Sequence, residues 1–238
     1  IDSQHTMPRK AMTTLKASRE LIAMTWNPRS LYHLVIKKRL FTRQKTLFQH
    51  MWKAKRDTRA YHNANITEKQ WLRQFDEQLP TLDAKFGARP NHANAASLMY
   101  GCLERRIDFI VFRSHFASSI WMARHMIVNG KVRLNGKRFV YPSHRVKDGD
   151  VISVEPEAVA TLKKPANESK VLDYIAQPFQ QPWMFIPEYL EVNYNTCSTV
   201  FLRDPVTKPG ATELPSPFPP AFHALAYKFY QRRGRTRK

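Results

Sequence analysis

The chain has 238 residues, which is enough for one large domain or two modest ones. Hydrophobic residues make up 42% of it and aromatic residues 12%, so its composition is typical of a globular protein and excludes a disordered chain. The 39 Lys and Arg against 19 Asp and Glu give a formal net charge of +20, which indicates an anionic partner and favours nucleic acid over an acidic membrane or protein.

The two cysteines, Cys102 and Cys197, form no CxxC pair and lie 95 residues apart. This spacing argues against a disulfide framework and a structural zinc site, and it suits a reducing compartment. No apolar run approaches the roughly 20 residues that a membrane-spanning helix needs. The sequence starts at Ile1 rather than Met, which is compatible with a targeting segment that precedes it.

The N-terminal part of the chain predicts helices. After a helix break at residues 27–28 (Asn-Pro), the segment 31–61 carries apolar side chains at helical spacing, such as Phe48 with Trp52. Its other face carries nine cations that Asp57 alone opposes. A solvated helix face would also explain them, but the lack of acids at i,i+4 favours contact with phosphates. These cations are Lys37, Lys38, Arg39, Arg43, Lys45, Lys53, Lys55, Arg56 and Arg59.

A second helix is predicted at residues 67–79. Thr67 and Gln70 match a capping box, and an apolar stripe follows them. The Pro, Gly and Asn content of residues 79–95 is typical of a linker. Helical periodicity resumes at about residue 97 and continues to 110.

A short helix is then predicted at residues 119–128. Ser118 is a suitable N-cap before it, and Gly130 ends it because glycine tolerates a positive φ. The predicted buried face consists of Ile120, Ala123, Met126 and Ile127, while Arg124, His125 and Val128 are expected to point elsewhere.

A tight hairpin is predicted directly after this helix. Val132 and Leu134 alternate with cations and are expected to face inward. The Asn-Gly pair at 135–136 is the strongest signal for a two-residue hairpin, since a type I′ turn needs positive φ at both positions. A turn at Gly149 and a closing strand at 151–154 complete the unit.

The C-terminal part is irregular. Residues 156–170 are typical of a linker, and nine of the 16 prolines lie between 178 and 220. Within 189–205 two strands are predicted, one alternating as Leu190/Val192 and the other as Val200/Leu202. A short helix is predicted at 222–230. The tail 231–238 has five cations and no acid, and we expect it to be disordered until it meets an anion.

These elements predict an α+β fold. A helical body would carry an inserted small domain, in which a helix-turn-helix packs on a short twisted β-sheet, and an irregular Pro-rich C-terminal return with a short hairpin would follow. We expect the helical body at 1–103, the small domain at 104–154 and the return at 155–238, where 231–238 is the basic tail; the bounds 104–154 are those of the family resemblance given next.

The small domain resembles a known family. The stretch RRIDFIVFRSHFASSIWMARHMIVNGKVRLNGKRFVYPSHRVKDGDVISV is similar, without a gap, to the alpha-L RNA-binding domain of the small-subunit ribosomal protein four family. The matching pattern is Arg-x-Asp, an aromatic-Arg pair, Ala-Ser, Ala-Arg, x-Asn-Gly twice, and a closing Val-x-x-Gly-Asp-x-Ile. A weaker resemblance covers 189–205 and the last helix, and the N-terminal helices look most like the mitochondrial, particularly fungal, versions.

The resemblance implies contact with ribosomal RNA from the matched positions. Side chains cannot read the deep groove of A-form RNA, so a rigid patch of Arg and Lys is expected to recognise junction shape and phosphates. Asp108 is expected to be structural, as an ion-pair partner of Arg105 at i−3. The implied RNA-binding residues are Arg106, Arg113, Ser119, Arg124, His125, Lys131, Arg133, Lys137, Arg138 and Arg145.

The function that the resemblance implies is that of a structural constituent of the small subunit of the mitochondrial ribosome. It would bind small-subunit rRNA at a multi-helix junction and support subunit assembly and translation. The implied partners are this rRNA, neighbouring small-subunit proteins and mRNA near its entry path. No catalytic residue, metal, cofactor, membrane or small-molecule substrate is expected.

Two alternative functions stay open at this point. The same domain is appended to RNA-modifying enzymes such as pseudouridine synthases, whose catalytic Asp lies in a Gly-Arg-Leu-Asp motif. RRID at 105–108 matches that motif without its Gly, and no P-loop, HExxH, Gly-x-Ser-x-Gly or metal-spaced Cys/His set is present. The other alternative is a stand-alone RNA-binding factor, although such factors need little chain beyond the domain.

Overall fold

The computed structural model describes residues 21–35, 44–62, 66–72, 96, 99–159, 162–163, 173–174, 186–208 and 211–235. The linker that we predict at 79–95 and the cations from Lys37 to Arg43 lie outside the described residues. Within the described part, helices combine with a five-stranded antiparallel sheet, which confirms the predicted α+β class.

Two helices lie where a single helical segment is predicted at 31–61. The first, α1 (Pro28–Val35), begins with a proline that needs no N–H partner, and the side-chain oxygen of Asn27 accepts the N–H of Arg29. The second, α2 (Leu47–His62), begins after a turn and bend at 44–45. The prediction of helix over 31–61 is therefore wrong at 44–46, because a capping box starts a new helix there: Thr46 N–H donates to Gln49 Oε1 and Gln49 N–H donates to Thr46 Oγ1.

The capping box predicted at Thr67 and Gln70 is present. The Thr67 N–H donates to Gln70 Oε1 over 3.2 Å, and the Gln70 N–H donates to Thr67 Oγ1 over 3.3 Å. Residues 68–72 are helical, and Trp71 and Leu72 are buried. The rest of this predicted helix lies outside the described residues.

Three short helices lead into the sheet: α3 (Gly101–Glu104), α4 (Ile107–Arg113) and α5 (Ile120–Val128). The buried face predicted for α5 is confirmed, as Ile120, Ala123, Met126 and Ile127 are all buried. Its predicted N-cap is wrong by one residue, because Ser119 and not Ser118 accepts the Met122 N–H. Gly130 has a φ of +71° and ends the helix as expected.

The sheet has the strand order β2-β1-β3-β7-β6, built from β1 (Val132–Leu134), β2 (Lys137–Arg138), β3 (Val151–Val154), β6 (Leu190–Asn193) and β7 (Ser198–Phe201). All its neighbouring strands are antiparallel. Asn135 and Gly136 have φ of 50° and 80°, which confirms the predicted turn. The Asn135 side chain also donates to Asp150 and accepts the Val151 N–H, so the hairpin tip is joined to β3.

The β6–β7 hairpin extends this sheet across the boundary that we predict between residues 154 and 155. The predicted alternation on β6 is present, but the one on β7 is wrong: Thr199 and Phe201 are buried, whereas Leu202 is exposed. The pairing of β7 with β3 sets which residues face inward, and the Thr199 hydroxyl there donates to Ser114 Oγ on the end of α4.

Shorter elements complete the described chain. Part of the predicted linker forms a 3₁₀ turn (Pro156–Ala158) and the strand β4 (Leu162–Lys163), which pairs with β5 (Asp173–Tyr174). Another two-stranded sheet joins β8 (Thr207–Lys208) and β9 (Ala211–Thr212). The last helix, α6 (Pro220–Arg235), is longer than predicted. Residues 231–235 are helical, so the expectation of a disordered tail is wrong for them.

An aromatic stack forms the core between α2 and α6. The Tyr100 ring stacks on His62 with centroids 4.7 Å apart and on Trp71 at 5.1 Å. Next to the stack, Nε2 of His62 and Nε2 of His223 lie 3.0 and 2.8 Å from Ser216 Oγ. Burial lowers the pKa of His223 to about 4 and holds the pKa of His62 well below its ordinary value, so both histidines are neutral at pH 7.

Candidate nucleic-acid interface

The region around α5 and the first hairpin has a one-sided charge. Residues 109–147 contain eight Lys and Arg and no Asp or Glu. A surface of this kind attracts phosphates and cannot neutralise itself locally. Which of these cations can contact a phosphate depends on how the fold orients each side chain.

The β1–β2 hairpin presents four exposed cations. Arg133 and Arg138 are direct cross-strand partners, so their side chains lie next to each other on the same face. Lys131 precedes β1 and Lys137 lies at the turn, and all four residues are exposed. None of the four forms an ion pair within the described part of the chain. Like charges placed opposite each other destabilise a hairpin, which makes this arrangement unfavourable without an anion.

The end of α5 fixes one of these guanidinium groups. Arg138 Nη2 donates to the backbone oxygen of Asn129, the C-cap of α5, over 3.1 Å. A Cβ atom at Gly130 would overlap the Arg138 guanidinium, so the glycine leaves room for this side chain. His125 is exposed one turn before Asn129, and it extends the basic surface along the helix.

A second group of the predicted residues meets at the start of α4. Arg106 and Arg145 form an isolated β-bridge, and Arg145 is exposed. Arg106 is buried and donates from Nε and Nη2 to the two carboxylate oxygens of Asp108, over 3.0 and 2.7 Å. Arg124 is half-buried and donates to the same carboxylate over 2.9 Å. These contacts join α4, α5 and the segment after the hairpin.

The expected pairing of Asp108 with Arg105 is therefore wrong. Asp108 is 0% exposed and pairs with Arg106 and Arg124. Arg105 instead pairs with Asp148 and Asp204, so it ties the turn before β3 to the chain after β7. An i−3 spacing suggested a pair within one helix, but residue 106 lies in an extended conformation before α4 and separates the two.

Arg113 lies away from the surface cations. It is 6% exposed, and its Nε and Nη2 donate to the two carboxylate oxygens of Glu104, each over 3.0 Å. Arg113 also donates to Tyr61 Oη and to the backbone oxygen of Pro215. The Tyr189 hydroxyl donates to the same Glu104 over 2.9 Å. This buried network links α2, α3, α4 and the C-terminal part of the chain.

The structure thus separates the predicted site residues into two classes. Arg106, Arg113 and Ser119 hold the fold, through two buried carboxylates and one helix cap. Arg124 belongs to both classes because it is half-buried against Asp108. The residues that reach the surface are His125, Lys131, Arg133, Lys137, Arg138 and Arg145.

Two exposed residues beside the basic surface were missed from the sequence. Lys147 is exposed two residues after Arg145. It is the last cation of the stretch 109–147, which contains no acid, and this position in the sequence could have identified it. Tyr141 is 69% exposed, and its ring packs edge-on against that of Phe139, with the ring centroids 5.7 Å apart. Nothing in the local pattern distinguishes this tyrosine from the buried aromatic residues nearby.

The described residues offer little to other kinds of site. They contain no group of His, Cys, Asp and Glu that could hold a metal ion. Among them, no helix combines the length and the apolar character of a membrane span. Asp108 is the residue at the place of the catalytic aspartate in the RRID stretch, and both its carboxylate oxygens accept hydrogen bonds from guanidinium groups in a buried position.

Comparison with known proteins identifies the region that carries this surface. The S4 domain model matches residues 105–152. The chain is 31% identical to small ribosomal subunit protein uS4m of the fission yeast Schizosaccharomyces pombe, over 92% of this chain and 80% of that protein. It is 31% identical to uS4 of Maricaulis maris, over 64% of this chain and 63% of that protein. It is 29% identical to uS4 of Dinoroseobacter shibae, over 69% and 68%.

Proposed function

Because the chain belongs to the uS4 family of small ribosomal subunit proteins, we propose that it is a structural constituent of the small subunit of the mitochondrial ribosome. The fission yeast relative, which covers most of the chain, has the name of the mitochondrial form, and this supports the location. The relatives are ribosomal proteins and not enzymes, so the function is one of binding and assembly.

The protein binds small-subunit rRNA through the basic surface of the S4 domain. The observation that carries this proposal is the pair Arg133 and Arg138, two exposed arginines that lie opposite each other and that no acid among the described residues pairs with. RNA phosphates on this face would turn an unfavourable pair into a favourable one. His125, Lys131 and Lys137 would contact phosphates beside the pair, and Arg145 those near the start of α4.

The buried arginines act on RNA binding indirectly. Asp108 fixes Arg124 relative to α4, and the Glu104–Arg113 network fixes α4 relative to the helical body. A surface that recognises the shape of an rRNA junction must keep its cations at constant distances, and these contacts supply the rigidity. The neighbouring small-subunit proteins and the mRNA at its entry path are the further partners that we propose.

Salt-dependent rRNA binding tests this function. Binding of the full chain to a small-subunit rRNA transcript would be measured at several salt concentrations for the variant Arg133→Ala/Arg138→Ala. Loss of two phosphate contacts should make the negative slope of log K against log salt shallower by about 1.5. The control is Lys228→Ala/Arg232→Ala, which also removes two exposed cations, both from α6.

The outcome separates specific contacts from general charge. We expect the control variant to bind with nearly the affinity and the slope of the original protein. Equal losses for both variants would mean that the +20 net charge, and not the hairpin, determines binding. An unchanged slope in the double variant would contradict the proposed contacts.

A further inference from the structure

We propose that α2 carries a second RNA-binding site, at which Phe48 and Trp52 stack on unpaired bases of single-stranded RNA. This site lies on the helical body, outside the residues that the S4 domain model matches. It rests on the proposed function only in that both need RNA as the partner, and its ligand is an unpaired base rather than a phosphate array.

The two rings are placed as a continuous exposed surface. Phe48 and Trp52 are one helical turn apart, with ring centroids 6.3 Å apart and an interplanar angle of 36°. They are 58% and 48% exposed, although α2 buries Met51 and Ala54 between and beside them. Trp52 packs edge-on against the core ring of Phe229, with centroids 5.5 Å apart, and is still about half exposed. Phe48 is not part of the core cluster, so the core does not explain the exposed surface that the two rings form.

The surroundings of these rings are basic. Residues 44–62 and 66–72 contain six Lys and Arg and only two acids. Lys55 Nζ lies 4.9 Å from the centroid of the Trp52 ring, and Arg56 is exposed one turn after Trp52. Glu68 pairs with Lys55 and Asp57 pairs with Arg56, so these pairs engage two of the six cations as well as both acids. Lys45 is exposed three residues before Phe48 and adds positive charge beside the rings.

This combination favours RNA over a protein as the occupant. The centre of a protein–protein interface is depleted in lysine, whereas proteins that bind single strands place aromatic rings among cations. The cations attract the backbone, and the rings stack on bases that no longer pair. An exposed Phe–Trp pair with the exposed cations Lys45 and Arg56 on the same stretch of chain meets both requirements.

The test compares single-stranded and duplex RNA. The variant Phe48→Leu/Trp52→Leu keeps apolar side chains on α2 but removes the aromatic faces. We expect it to bind a short oligo(A) more weakly than the original protein, by about 5- to 150-fold for each stacked base that is lost, as stacking energies predict. The salt slope should not change, because no cation is lost, and binding to a duplex of equal length should not change, because its bases are already stacked.

The matched control is Leu47→Ala. Leu47 is exposed on the same turn of α2, but adjacent helical residues do not share a face. This variant should bind oligo(A) as the original protein does. Since Trp52 also contacts the Phe229 ring, thermal unfolding of each variant is measured, and Phe48→Leu alone serves if the double variant is unstable.

Three outcomes would overturn the proposal. One is an unchanged affinity for oligo(A) in a folded variant, and another is an equal loss in Leu47→Ala. The third is an unchanged RNA affinity combined with loss of a neighbouring protein from purified subunits, which would assign the rings to a protein partner. If Arg133→Ala/Arg138→Ala still changes the salt slope with rRNA, only the site on α2 fails and the proposed function stands.

Discussion

Replacement of Arg113 by methionine distinguishes a structural arginine from an RNA contact. Arg113→Met removes the two guanidinium donors of Glu104 and leaves a carboxylate that is 0% exposed. The Tyr189 hydroxyl remains its hydrogen-bond donor among these partners. The burial of Tyr189 and the charge on Glu104 raise the pKa of Tyr189 well above its ordinary value, so its hydroxyl keeps its proton.

The expected loss of stability is large. Removing one partner of a buried ion pair costs about 3–5 kcal/mol, because the other charge stays buried without compensation. In a protein of this size about 1 kcal/mol corresponds to a 2–4 °C change in Tm, so Tm should fall by about 6–20 °C. The further variant Glu104→Gln/Arg113→Met removes both charges and should regain a large part of that loss.

Thermal unfolding and rRNA binding are measured together for this variant. We expect Arg113→Met to lower Tm while the folded protein keeps the original salt slope, because the guanidinium of Arg113 is buried against Glu104. The opposite result is an unchanged Tm with a salt slope that is shallower by about one. It would refute the structural role and assign Arg113 to the RNA surface.

Three further predictions concern conformation, pH and thiol chemistry. Gly130→Ala should lower the free energy of unfolding by about 1–2 kcal/mol, because φ is positive there, and it should weaken rRNA binding because the new Cβ would displace Arg138. Gly136 also has a positive φ but has open space around it, so Gly136→Ala should affect stability alone. Equal losses of rRNA affinity in the two variants would contradict this. Because burial lowers the pKa of His223 to about 4, its contribution to stability should be complete above pH 6.5 and fall by about 2 kcal/mol at pH 5. The lowered pKa of His62 acts in the same direction, and unfolding curves unchanged between pH 7.5 and 5 would be contrary evidence. Burial raises the pKa of Cys102 to about 11, so iodoacetamide should modify this half-buried thiol at pH 7.5 much more slowly in the native than in the unfolded protein, as mass spectrometry would show; equal rates would contradict this.

Local signals in the sequence predicted local structure well. The Asn-Gly pair at 135–136 requires positive φ at both positions, and this requirement does not depend on the rest of the fold. The Thr67–Gln70 capping box is likewise decided within one turn. The family resemblance, and with it the RNA-binding function, depended on such short-range patterns.

The roles of individual arginines could not be predicted in the same way. Arg113 and Arg133 both lie in the basic stretch, yet Glu104 from another helix neutralises the first and no described acid pairs with the second. The inward-facing side of β7 was predicted wrongly for a related reason. Thr199 faces inward because β3, far away in sequence, pairs with that strand. Contacts between distant segments decide these cases.

A density map of the mitochondrial small subunit that contains this protein tests the central claim most directly. We predict that the Arg133 and Arg138 guanidinium groups lie within about 3 Å of rRNA phosphate oxygens, the distance of a charge-assisted hydrogen bond. A map in which the β1–β2 hairpin faces solvent or another protein, with no RNA beside it, would contradict the account.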